Sequence, residues 1–69
     1  MFNQNDIVII TAGIFSGCMG YVDTVATYEN GNQELTVKIQ EGFSLCSNNE
    51  IRLATPDEIK WELIGRLGK

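Results

Sequence analysis

The sequence predicts a mainly β chain, a small five-stranded barrel followed by a short C-terminal α-helix. Three observations carry this. Short runs rich in Val, Ile, Thr and Tyr recur up to residue 54, separated by Gly and Asn turn signals. One of those runs, QELTVKIQ, alternates apolar and polar residues without a break. From residue 55 the pattern changes to a helical period behind a full set of helix-start residues. At 69 residues the chain is one domain, with the barrel over 1–54 and the helix over 55–69 packed on it.

The elements follow in order. DIVIIT (6–11) is the first strand, with Val8 and Ile10 facing the interior and Ile7 and Ile9 facing out. AGIFSGCMG (12–20) is a glycine-rich connection in which Gly13, Gly17 and Gly20 supply positive φ or room for close approach. GYVDTVATYE (20–29) is the second strand. Val22 and Val25 are three apart, so a bulge or bend between them is needed to bring both inside. Asn30–Gly31 predicts a type I′ hairpin turn. In QELTVKIQ (33–40), Leu35, Val37 and Ile39 share the inner face. FSLCS (43–47) and EIRLA (50–54) complete the sheet, after turns at Glu41–Gly42 and Asn48–Asn49. Five short strands joined by tight turns predict a closed or nearly closed barrel.

The helix has unusually complete signals. Thr55 is the expected N-cap, Pro56 fits the first helical position and Glu58 completes a capping box. Asp57 and Glu58 suit the positive end of the helix dipole, and Arg66 and Lys69 the negative end. Ile59, Leu63 and Leu67 form an apolar stripe, with Ile64 and then Trp61 toward its margin. That stripe is the expected cover for outward Ile7 and Ile9.

The glycine stretch is not a phosphate cradle. A Walker A loop ends in Gly-Lys-Ser/Thr, whereas Gly17 is followed by Cys18 and Met19. A dinucleotide fingerprint opens a helix, whereas a strand follows here. Phe15 is expected to tuck under the loop and plug one end of the barrel.

NDIVIITAGIFSGCMGYVDTV (5–25) resembles the KOW motif: an Asp-led strand, Gly, an apolar-aromatic loop, two further Gly, then Val-x-x-Val. Asp6, Val8, Ile10, Gly13, Phe15, Gly17, Gly20, Val22 and Val25 occupy the motif's positions. The resemblance implies an SH3-like barrel of the kind found in transcription elongation factors and several ribosomal proteins. It implies binding to RNA or to protein. RNA-binding members carry Lys or Arg in the loop, where this chain has Ser16 and Cys18 and reaches its first basic residue at Lys38.

Composition narrows function further. The net charge is −4, with five basic residues against nine acidic. Non-specific affinity for nucleic acid comes from Lys and Arg displacing counterions, so this balance disfavours it. There is no histidine, which removes Cys–His and Ser–His nucleophile systems. Two cysteines without histidine do not make a four-ligand zinc site. No cofactor, metal or catalytic residue is therefore expected, and the chain is read as a non-enzyme.

MFNQND has no basic or apolar leader pattern, and no apolar run approaches membrane-spanning length. A cytoplasmic location is expected, with Cys18 and Cys46 as reduced thiols.

The expected role is a small protein-binding or regulatory module. It would act on the transcription or translation machinery, or as a subunit or inhibitor in a larger assembly. The candidate partner-binding residues are Phe15, Met19, Tyr21, Tyr28 and Trp61, because exposed aromatics anchor interfaces. For Trp61 a helix-on-barrel contact is the competing reading. Two alternatives remain: a KOW domain binding RNA or DNA, and an acidic nucleic-acid mimic displaying Glu29, Glu34 and Glu41.

Overall fold

The structure, a computed structural model, describes residues 1–67, with side-chain surroundings over residues 1–62. Five antiparallel strands, β1 (Ile7–Ile10), β2 (Met19–Thr27), β3 (Gln33–Ile39), β4 (Gly42–Ser47) and β5 (Ile51–Leu53), precede one helix, α1 (Pro56–Leu67). Each consecutive pair from β1 to β4 forms a hairpin, and β5 returns to the free side of β1. The sheet order is β4-β3-β2-β1-β5.

The sheet is open. Among the described residues no ladder joins β4 to β5, so the sheet is a five-stranded antiparallel one that does not by itself establish the expected closed or nearly closed barrel. The reason lies in the connection between them. A tight turn, with the Glu50 N–H on Ser47 O at 3.0 Å, carries the chain away from β4. β5 then spends its three residues pairing with β1.

The core sits on one face. Val8, Ile10, Val22, Leu35, Val37, Ile39, Cys46 and Ile51 are buried together, with Phe2, Phe15, Cys18 and Val25 packed against them. β3 alternates as its sequence requires, with Leu35, Val37 and Ile39 all inside. In β2 the register shifts between Val22 and Thr24, leaving Asp23 as an extra residue. This bulge turns Val25 inward after Val22, which reconciles their spacing. The outward face of β1 is shielded as well: Ile9 is buried and Ile7 half-buried. Ile59 is half-buried, while Leu63, Ile64 and Leu67, the rest of the expected stripe, lie outside the described side chains.

One turn differs from the sequence expectation. Gly31 has φ 88°, but Asn30 does not share the left-handed conformation that a type I′ turn requires. The Gly31 N–H donates to Tyr28 O and the Tyr28 N–H to Asn32 O, which is a three-residue loop with a glycine bulge. Asn30 holds it by accepting the Asn32 N–H on Oδ1 at 3.0 Å. Gly20 also differs. Gly13 and Gly17 have φ near 90°, but Gly20 is ordinary strand. A Cβ there would lie 2.3 Å from the Lys38 carbonyl oxygen and 2.9 Å from Ile39 and Val37 side-chain carbons. Gly20 is needed for space, because β2 and β3 close onto each other at this point.

Candidate functional site

The sheet has a second face, and its composition is uneven. Paired residues across the ladders fall into rows: Ile7, Tyr21, Lys38 and Phe43; then Thr24, Thr36 and Leu45; then Ala26, Glu34 and Ser47. Phe43 is 62% and Leu45 67% exposed, and Tyr21 is also exposed. The Lys38 ammonium lies 5.3 Å from the centre of the Phe43 ring and donates to Ile39 O at 2.9 Å. Its aliphatic stem therefore bridges the two aromatic positions. Tyr21, Phe43 and Leu45 around Lys38 make a contiguous apolar patch running to the edge of the sheet.

Of the five residues picked out in the sequence, Met19 and Tyr21 belong to this face, Met19 half-buried beside Ile9. Tyr28 lies beyond its far end, exposed, with its hydroxyl donating to Glu34 Oε2 at 2.6 Å. That hydrogen bond, and the charge behind it, raises the phenol's pKa. Phe15 is half-buried and packs against the core from the glycine-rich loop, apart from this patch. Trp61 is exposed on α1, a different element. Phe43 and Leu45 were missed. The signal was parity: Cys46 reads as an inward residue, so its odd-numbered neighbours in β4 face out.

The edge strand β4 adds backbone groups to this patch. Its bonded phase with β3 follows from the two-residue turn between Ile39 and Gly42 and from the Asn48 N–H on Gln33 O. Gly42, Ser44 and Cys46 bond to β3, so Phe43, Leu45 and Ser47 present N–H and C=O outward. Glu50 occupies Ser47: its Oε1 accepts the Ser47 N–H at 2.9 Å and the Ser47 hydroxyl at 2.8 Å. The Ser47 backbone bond is the main reason the Glu50 carboxyl sits below its usual range. For Phe43 and Leu45 no such partner occurs among the described residues.

A groove of about 570 Å³ lies at the Ser47 end, bordered by Tyr28, Glu34, Leu45, Ser47 and Glu50. Two carboxylates thus flank an open, partly apolar recess.

Gln33 organises the other side of the same end. It is buried, and its amide makes two bonds with the Phe2 backbone: Oε1 accepts the N–H at 2.9 Å and Nε2 donates to the C=O at 3.0 Å. Nε2 also reaches Thr27 Oγ1, and the Gln33 N–H donates to Asn48 Oδ1. This side chain behaves as a one-residue strand, and no local sequence pattern signals it.

At the opposite edge the chain runs from β5 into α1. Thr55 and Glu58 form the reciprocal capping box, the Glu58 N–H on Thr55 Oγ1 at 3.2 Å and the Thr55 N–H on Glu58 Oε1 at 2.9 Å. Arg52 of β5 adds a two-pronged bond to the same carboxylate, both contacts at 2.8 Å. Arg52 first, and the Thr55 N–H second, hold the Glu58 carboxyl down to about 2.

Both thiols are free, Cys46 within the core and Cys18 against it. Among the described residues no group of three or more acidic or thiol side chains is placed to hold a metal ion. No described helix is long and apolar enough to cross a membrane. No family model, curated protein or solved structure matches the chain.

Proposed function

We propose that the chain is a small, non-catalytic, cytoplasmic protein-binding or regulatory module. It works on the transcription or translation machinery, or as a subunit or inhibitor in a larger assembly, and is built on an SH3-like barrel of the KOW type. The fold part is supported by the four-strand meander with β5 returning to β1, by the bulge at Asp23 in β2 and by left-handed Gly13 and Gly17.

One observation carries the functional part: Tyr21, Phe43 and Leu45 are exposed together on the outer face, around the stem of Lys38. Exposed apolar residues are ordinary when scattered, but a contiguous group with a polar rim marks a docking surface. The basic residues of the sheet do not suit a phosphate backbone. Lys38 is directed to Ile39 O and Phe43, and Arg52 is paired with Glu58.

The test is a capture experiment from the native host with wild type and a Tyr21→Ser/Phe43→Ser variant, each with and without nuclease. A protein that survives nuclease and is lost with the variant is the expected result. Captured material that disappears with nuclease would favour the nucleic-acid reading.

A further inference from the structure

We infer that the open edge of β4 receives an extended peptide strand with apolar residues at alternate positions and a basic residue at each flank. This deepens the docking reading above and rests on it. The geometry supplies the pairing. Phe43 and Leu45 each present an outward N–H and C=O with no partner among the described residues, enough for four main-chain bonds to an antiparallel strand. Side chains opposite these two residues fall on the outer face, beside exposed Phe43 and Leu45. Apolar residues at those two positions extend the existing patch.

The flanks are set by charge. β4 itself carries none. At one end stands exposed Glu41. At the other, Glu34 and Glu50 border the groove beside Leu45 and Ser47. Lys38, the cation beside Phe43, is engaged with Ile39 O and the Phe43 ring. A visiting strand therefore meets carboxylates at both ends and an apolar middle.

The same charges argue against a second copy of this chain. Two-fold pairing about Ser44 would make the same four bonds and place Leu45 of each copy against Phe43 of the other. It would also set Glu41 of each copy beside Ser47 and Glu50 of the other, between chains of net charge −4. Like charges would meet twice.

The probe is a capped heptapeptide, Lys-Thr-Val-Thr-Val-Thr-Lys, titrated into the full chain and followed by amide NMR and hydrogen exchange. The expected result is protection of the Phe43 and Leu45 amides, with affinity falling as salt rises. Replacing both Lys by Glu should weaken binding by about tenfold or more. Leu45→Pro removes an outward N–H without touching the β3 ladder and should abolish binding. Should that variant misfold, Glu41→Lys, at an exposed turn, carries the test: it should weaken the Lys peptide and strengthen the Glu peptide.

Equal affinity of the two peptides, protection at other residues, or no binding at millimolar peptide would overturn the inference. So would a dimer in sedimentation that Leu45→Pro dissolves. If the Tyr21→Ser/Phe43→Ser variant loses its captured protein while the peptide does not bind, the outer face remains a docking surface for a folded partner and the edge inference alone fails.

Discussion

β5 and β4 are the two outer strands of one sheet. β5 is three residues long and carries Arg52, whose guanidinium grips Glu58, and it runs directly into the Thr55 cap of α1. β4 is six residues long, uncharged and without proline, with Phe43 and Leu45 exposed on it. Shortness, charge and a covering element are the usual protections of a sheet edge. The first edge is short and charged, though Leu53 is exposed on it, whereas on the second Glu50 caps Ser47 and leaves the strand's middle open. The two edges of one sheet are thus unequally protected, and the middle of β4 is the less protected of the two.

Four changes test that contrast, in order of expected effect. The largest is at an interior strand and sets the scale for the edges. Gly20→Val forces a side chain against the Lys38 carbonyl, and the stability loss should reach about 3 kcal/mol, lowering Tm by more than ~10 °C. A variant that melts like wild type would mean that β2 and β3 do not approach so closely.

At the protected edge, Thr55→Ala removes the cap and should cost about 1 kcal/mol, read from Tm and from loss of helical circular dichroism. An unchanged helix signal would show that Arg52 alone suffices to hold α1.

Acid tests the same edge without a mutation. Glu58 is held down to about 2 in the folded chain, whereas an unfolded glutamate titrates near 4.3. The folded state therefore binds the proton less readily. Stability from this carboxylate is complete above about pH 5 and is lost as pH falls toward 2. Glu50 shifts in the same direction, so it adds to the acid loss from the β4 side. Glu58→Gln should flatten the pH dependence of amide exchange in the first turn of α1. If the wild-type and variant profiles coincide, the bond to Arg52 does not persist in solution.

The smallest effect on stability is expected at the open edge. Leu45→Lys places a charge on an already exposed position and should change stability by less than about 0.5 kcal/mol. It should nonetheless reduce association with any added strand, seen by light scattering or peptide titration. A cost well above 1 kcal/mol would show that Leu45 is packed and the edge is not bare.

What the sequence discloses follows the range of the interaction. The capping box is local, Thr55 to Glu58, and its residues announce it. Alternation in β3 and the Val22–Val25 spacing are likewise readable along one strand, and both the inner face and the bulge follow from them. Arg52 on Glu58 needs the angle between β5 and α1, which no periodicity encodes. Gly20 looks like its loop neighbours Gly13 and Gly17, but its cause is a neighbouring strand 18 residues away, at Lys38. The outer patch was half legible. Tyr21 and Met19 stood out by type, whereas Phe43 and Leu45 became visible only once Cys46 was known to face inward. Phe15, an aromatic in a loop, is open to two readings, interior plug and docking residue, and it is half-buried against the core.

The Gln33 amide has a consequence in time as well as in space. Hairpins β2–β3 and β3–β4 close short loops and can form early. The bond to Phe2 spans 31 residues and has nothing to grip until β3 is in place. It is accordingly expected to be a late contact, one made after the rate-limiting step. Contacts of that kind do not speed the search for the native state; they hold the door once the chain is through it. Gln33→Leu should leave the refolding arm of a chevron plot almost unmoved and shift the unfolding arm upward at nearly unchanged slope. The lifetime of the folded chain, more than its ease of folding, then depends on a single buried glutamine.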